Sequence, residues 1–156
     1  MKHTIQLKKY KNSLILLLIS IAFVIFFSQP FFGDPFSGDN AMFQTIGKYW
    51  AQGSIPYVEL WDSKGPIIFF INALGYMITK NIWGIIILQI LSLTLSLVYI
   101  NKMYKFVSDK YALLLTLFTV VAMIPMYASN SVEEFTLPLL CISFYYILQY
   151  LNVYYK

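Results

Sequence analysis

Ile82-Trp83-Gly84-Ile85-Ile86-Ile87-Leu88-Gln89-Ile90-Leu91-Ser92-Leu93-Thr94-Leu95-Ser96-Leu97-Val98-Tyr99-Ile100-Asn101 decides the architecture. The stretch carries no charge, and Gln89 is its main polar interruption. A helix needs roughly 20 apolar residues to cross about 30 Å of hydrocarbon. This one has them, so it is expected to cross a bilayer. Three neighbours read the same way. Residues 13–32 are uncharged, as are 111–127 at the short end of the range and 135–153. Pro138 is expected in the first turn of the last span, where a missing N–H costs little.

Composition agrees. The chain has 156 residues, 59% of them hydrophobic and 12% charged, with a mean hydropathy of +0.66. Soluble domains are typically about 45–50% apolar and about 25% charged. A soluble enzyme and a disordered chain are therefore excluded. The net charge of +4 comes from 11 lysines and no arginine. They form no stripe that could follow a phosphate backbone, so no nucleic-acid partner is expected. Cys141 is the one cysteine and His3 the one histidine. An intrachain disulfide and a histidine-based zinc cluster are excluded.

The lysines set the expected orientation. With four crossings and a cytoplasmic N-terminus, Lys2, Lys8, Lys9, Lys11, Lys102, Lys105, Lys110 and Lys156 lie inside. Lys48, Lys64 and Lys80 lie outside. This obeys the positive-inside rule. The first span follows a basic segment but no small-x-small cleavage site, so it reads as an uncleaved anchor. The apolar run 66–78 is too short for a span, covering only about 20 Å as a helix. Counting it as a crossing would put Lys102, Lys105 and Lys110 outside. It reads as an interfacial or re-entrant helix. The expected fold is thus an all-α integral membrane protein, with four transmembrane helices and two interfacial helices in the first outer loop.

This topology gathers the acids. Asp34, Asp39, Glu59, Asp62, Glu133 and Glu134 fall outside, and only Asp109 inside. The first outer loop, 33–81, opens with the turn-rich run Gly33-Asp34-Pro35-Phe36-Ser37-Gly38-Asp39. A helix is predicted over 40–52, because Met42, Phe43, Ile46, Tyr49 and Trp50 share one face. Asp39, just before it, has the place of an N-cap. Gly53 supplies the stop. The irregular segment that follows, through Glu59, Trp61, Asp62 and Lys64, reads as a polar loop with interfacial aromatic anchors. In the short second loop, Ser131 and Glu134 have capping-box spacing. That spacing leaves Glu133 without a structural reason. Two adjacent acids where a helix enters lipid are costly unless the site is wet, paired or metal-bound. Gln89 and Asn72 read as helix-contact hydrogen bonders, and Cys141 as a packing residue.

Carboxylates beside a headgroup layer suit chemistry on a lipid-carried substrate. One can act as general base toward a hydroxyl, and several can hold a divalent cation. Lys64 can contact a phosphate as a point charge.

The residues Asp39, then Gly53-x-x-Pro56-Tyr57-x-x-x-Trp61-Asp62-x-Lys64-Gly65-Pro66, resemble the first outer loop of the glycosyltransferase C superfamily. The similarity is to its bacterial polyprenyl-phosphate-sugar-dependent members, the protein mannosyltransferase-like and aminoarabinose transferase-like groups. Glu133-Glu134-Phe135-x-x-Pro138 resembles their second outer loop. The resemblance runs in order along nearly the whole chain. It implies transfer of a sugar from a polyprenyl-phosphate carrier to an acceptor hydroxyl at the outer face. It implies Asp39 as the catalytic base or acceptor orienter. It implies substrate binding by Asp62, Lys64 and Glu133 or Glu134, and a divalent metal with Asp62 as candidate ligand. Gly65 separates Lys64 from Pro66, where the aminoarabinose group has Lys-Pro directly. Glutamate stands where many members have aspartate in the second loop.

Members of that superfamily are much longer, so the chain is expected to be an N-terminal part, incomplete or complemented by a second chain. The alternative is a small non-catalytic membrane protein that binds a lipid-linked sugar or a partner transferase. A transporter or channel is disfavoured, because the spans contain no ionisable residue.

Overall fold

The computed structural model describes residues 2–31, 36 and 38–154. Asp34, one of the expected outer acids, lies outside the described residues, as does most of the turn expected over 33–37. Six α-helices and a 3-10 turn make up the described fold. They are α1 (Lys2–Ser28), α2 (Asp39–Ala51), α3 (Pro66–Thr79), α4 (Trp83–Val107), α5 (Ala112–Met123) with the turn Ile124–Met126, and α6 (Val132–Tyr154).

Three helices are long and apolar enough to cross a membrane: the Lys11–Ser28 part of α1, α4 and α6. The helix expected over 111–127 is shorter. Ala112–Met126 is apolar, but its α-helical part stops at Met123. There Ile124 N–H bonds to Val121 O, three residues back, which tightens the last turn. Pro125 then has no N–H with which to continue the ladder. The span expected to reach Phe32 ends at Ser28. Gln29 takes a positive φ of 42°, and Pro30 behind it disfavours helix at that residue. α4 runs past Asn101 to Val107, with Lys105 in its last turn, where it pairs with Asp109 at 3.7 Å. A cation in a last turn complements the helix dipole.

α4 is the hub. α1, α3, α5 and α6 all pack on it, and α2 packs on α3. Leu16, Phe23 and Val24 of α1 bury against Ile86, Leu93 and Leu97 of α4 and Val120 of α5. A second cluster joins Phe43 and Ile46 of α2 to Ile68 and Phe69 of α3, with Leu60, Val132 and Phe135 packed around it. Two crossings depend on glycine. A Cβ on Gly75 would lie 2.7 Å from Ile85 N, and one on Gly47 would lie 2.8 Å from Ala73 N. Such close approach is how helices associate where lipid removes the hydrophobic drive between them.

α5 runs back along α4, since Thr116 bonds to Asn101 near the far end of α4 while Ser129 bonds to Gln89 nearer its start. The chain then reaches the end of the bundle where α1 stops, since Ser129 bonds to Ser28. Lys102, Lys105 and Lys110 therefore sit at one end of α4, and Asp39, Asp62, Glu133 and Glu134 gather toward the other.

Pro138 is not in the first turn of its helix. α6 starts at Val132, which puts Pro138 in the second turn. A proline there cannot donate to the carbonyl four residues back, Glu134 O. Ser92 Oγ of α4 donates to that oxygen instead, at 2.8 Å.

Candidate functional site

The acid-bearing end has an exposed layer over a buried one. Asp39 belongs to the exposed layer. It is the first residue of α2, not its cap. The cap position is Gly38, at φ 57°, and no side chain bonds to the open N–H groups there. The Asp39 side chain is 73% exposed, and its Oδ2 lies 3.9 Å from Lys64 Nζ. The expected capping role is thus corrected: the carboxylate turns to a lysine 25 residues along the chain.

The loop that brings Lys64 there is tightly self-bonded. Tyr57, at φ 65°, donates its N–H to Leu60 O at 2.7 Å and its hydroxyl to Lys64 O at 2.5 Å. Asp62 Oδ1 accepts from Lys64 N–H at 2.9 Å, the pattern of an Asx turn. Glu59 Oε2 accepts from Ile55 N–H at 3.2 Å. The Tyr57 ring packs on Phe69, 5.8 Å between centroids, which ties the loop to α3. Asp39 and Asp62 therefore both meet Lys64, one at its ammonium and the other at its backbone N–H.

Glu133 and Glu134 part company. Glu133 is exposed on the first turn of α6. It borders a cleft of about 280 Å³ whose walls include Met123, Met126, Tyr127, Leu93 and Leu137. Glu134 is buried. It accepts from Tyr127 OH at 2.5 Å, Gln89 Nε2 at 2.8 Å and Asn130 N–H at 2.9 Å. Its own N–H donates to Ser131 Oγ at 3.2 Å, so half of the expected capping box forms. The other half is redirected, because the Glu134 carboxylate reaches Asn130 rather than the backbone of Ser131.

The buried layer is a network that links five helices. Gln89 also donates to Ser129 Oγ at 2.8 Å, and Ser129 meets Ser28 at 2.5 Å. Asn130 Nδ2 donates to Asn40 O at 3.0 Å, and Asn40 Nδ2 donates to Ser129 O at 2.9 Å. Asn72 and Asn130 exchange side-chain bonds. Gln89 and Asn72 are helix-contact residues, as read from the sequence. Asn40, Asn130, Ser28 and Tyr127 were missed. Asn130 follows two small residues, Ala128 and Ser129, and asparagine tolerates its positive φ of 62°. That turn signal was the available clue.

A divalent ion does not fit this set. Among the described residues, no group of three His, Cys, Asp or Glu side chains is arranged to hold one. Asp62 spends an oxygen on its own turn.

A family model described as "Putative competence-induced protein Ccs4 N-terminal domain" matches residues 1–156. The chain belongs to that family. The description names a competence-induced protein and no reaction, so the chemistry rests on the site. No curated protein and no solved structure matches the chain.

Proposed function

We propose that this chain is the N-terminal module of a membrane glycosyltransferase, which moves a sugar from a polyprenyl-phosphate carrier to an acceptor hydroxyl. The observation that carries the proposal is Asp39. Its carboxylate has no capping duty, is exposed, and lies 3.9 Å from a lysine.

In this reading Asp39 takes the proton of the acceptor hydroxyl as its oxygen attacks the anomeric carbon. The bond from that carbon to the carrier phosphate breaks, and the phosphate leaves with the electron pair. Lys64 is the point charge that meets it. Asp62 and Tyr57 hold the Lys64 backbone in place, and Glu133 contacts substrate at the mouth of the neighbouring cleft. Glu134 shapes the floor and touches no substrate. No step is routed through a metal.

The proposed topology has four crossings, α1, α4, α5 with its 3-10 turn, and α6, with the N-terminus cytoplasmic. α2 and α3 lie at the outer interface. The return of α5 along α4 supports the fourth crossing, and the lysines at 102–110 support the orientation.

The test uses the complete gene product in membrane vesicles, supplied with a polyprenyl-phosphate-linked hexose. Removing a general base costs about 10²- to 10⁴-fold, and Asp39→Asn should lower transfer by that order. Transfer at the unsubstituted rate would overturn the proposal. It would leave the non-catalytic alternative, in which the acids govern binding to a partner transferase.

A further inference from the structure

The loop between α2 and α3 carries three apolar side chains outward. Val58 and Trp61 are each 76% exposed, and Ile55 is 58% exposed. Two large apolar groups this exposed on a mobile loop would mean little. This loop is held from within by the bonds of Tyr57, Glu59 and Asp62, and Leu60 is packed against the α2–α3 core. The fold thus holds Val58 and Trp61 away from its own interior.

What lies against them follows from the surface they continue. On α4, a helix long enough to span, Leu91 and Leu95 are exposed. They share a shallow hollow with Leu74 and Ile71 of α3. The exposed face of α3 then runs through Phe70, Leu74, Met77 and Ile78 without a charge. Met77 and Pro66 share the next hollow with Ile55 and Tyr57 of the loop. An apolar belt therefore leads from α4 across α3 to Ile55 and Tyr57 of the loop, and the exposed Val58 and Trp61 follow within four residues of Tyr57. Lipid faces the first part of that belt, and water would face an apolar surface if the lipid stopped short of the loop.

We infer that Val58 and Trp61 dip into the outer leaflet, anchoring this loop at the depth of the lipid headgroups. Tryptophan favours that layer, and amphipathic elements there bury their apolar side about 5–10 Å into the headgroup–acyl boundary. The depth is shallow, because Glu59, Asp62 and Lys64 stand beside the two side chains. The anchor sets the level of the Asp39–Lys64 pair, which then lies in the plane where lipid phosphates lie. The inference stands on the belt and does not depend on glycosyl transfer.

The test is the depth of Trp61. The full chain with Trp50→Phe and Trp83→Phe keeps Trp61 as its one tryptophan. It is reconstituted in phosphatidylglycerol–phosphatidylethanolamine vesicles with lipids brominated near the top of the acyl chain. Emission should fall at least about twofold relative to unbrominated vesicles, as for an interfacial tryptophan. It should shift to the blue and resist aqueous iodide. Full quenching by iodide with no effect of bromolipid would place Trp61 in water and overturn the inference. Protection from both quenchers would mean a protein surface covers the tip, and would overturn it equally. If the double substitution fails to fold, a spin label on Val58→Cys reads the same depth from its contact with oxygen against a water-soluble nickel complex. Cys141 is buried, so the label goes to the tip.

Discussion

Asn72 and Asn130 exchange amide hydrogen bonds, at 3.1 and 2.9 Å, and neither side chain reaches solvent. One belongs to α3 and the other to the loop before α6. Their pairing joins the α2–α3 layer to the segment that leads into α6. A polar bond between membrane helices averages about 0.6 kcal/mol. Its weight here lies in what happens when one partner is removed. An orphaned buried amide costs about 1–3 kcal/mol.

Substitutions at 130 should separate two effects. Asn130→Gly loses the side-chain bonds but accepts the positive φ. Asn130→Ala loses the same bonds and adds left-handed strain of about 1–2 kcal/mol. Thermal unfolding in detergent should therefore rank the native chain above Asn130→Gly, and Asn130→Gly above Asn130→Ala. Equal melting temperatures for the two variants would show that the backbone relaxes out of this conformation.

The two adjacent glutamates should behave oppositely. Glu134→Ala strands the donors of Tyr127, Gln89 and Asn130, and should lower stability by about 1–3 kcal/mol or more. Glu133→Gln changes an exposed side chain and should stay within about 0.5 kcal/mol. Unfolding of both variants in one detergent is the check. If Glu133 proves the more damaging, the burial assigned here to Glu134 is wrong.

The Asp39–Lys64 pair is exposed, with side-chain exposures of 73% and 47%. Such pairs contribute about 0–1 kcal/mol. Asp39→Asn and Lys64→Met should fold and melt almost as the native chain does. Any loss of transfer in these variants is then a loss of chemistry. A large drop in melting temperature for either one would make an activity measurement uninformative and would place the pair in the structural framework.

Orientation can be read with a membrane-impermeant maleimide on intact cells. Ser54→Cys should label from outside and Ser108→Cys only after permeabilisation. The opposite pattern would invert the topology and remove the outer-face site.

Local pattern made much of this fold legible. The predicted helix over 40–52 appears as Asp39–Ala51, and the short apolar run over 66–78 appears as Pro66–Thr79. Both rest on spacing within a dozen residues, which periodicity reads directly. The misplaced features depend on distant partners. Asp39 looked like a cap because caps are local, whereas Lys64 lies far along the chain. Pro138 looked harmless because the span was counted from Phe135, whereas α6 starts at Val132. Asn130 meets Asn72 across 58 residues. Acid clustering showed that Asp39, Asp62, Glu133 and Glu134 share one end of the bundle. Which glutamate is buried depends on Gln89 and Tyr127, and the spacing of the two acids carries no trace of that.

The Ser92–Glu134 bond has a consequence for assembly. Without α4 beside it, α6 enters lipid with an open carbonyl one turn from its start, and such a group costs several kcal/mol in hydrocarbon. The helix is a complete hydrogen-bonded rod only after docking. Ser92 must therefore be in the bilayer first, as chain order during synthesis ensures. Once seated, the two helices cannot slide or turn past each other without reopening the gap. The proline works as a keyway, and the serine hydroxyl is the key that fixes their register.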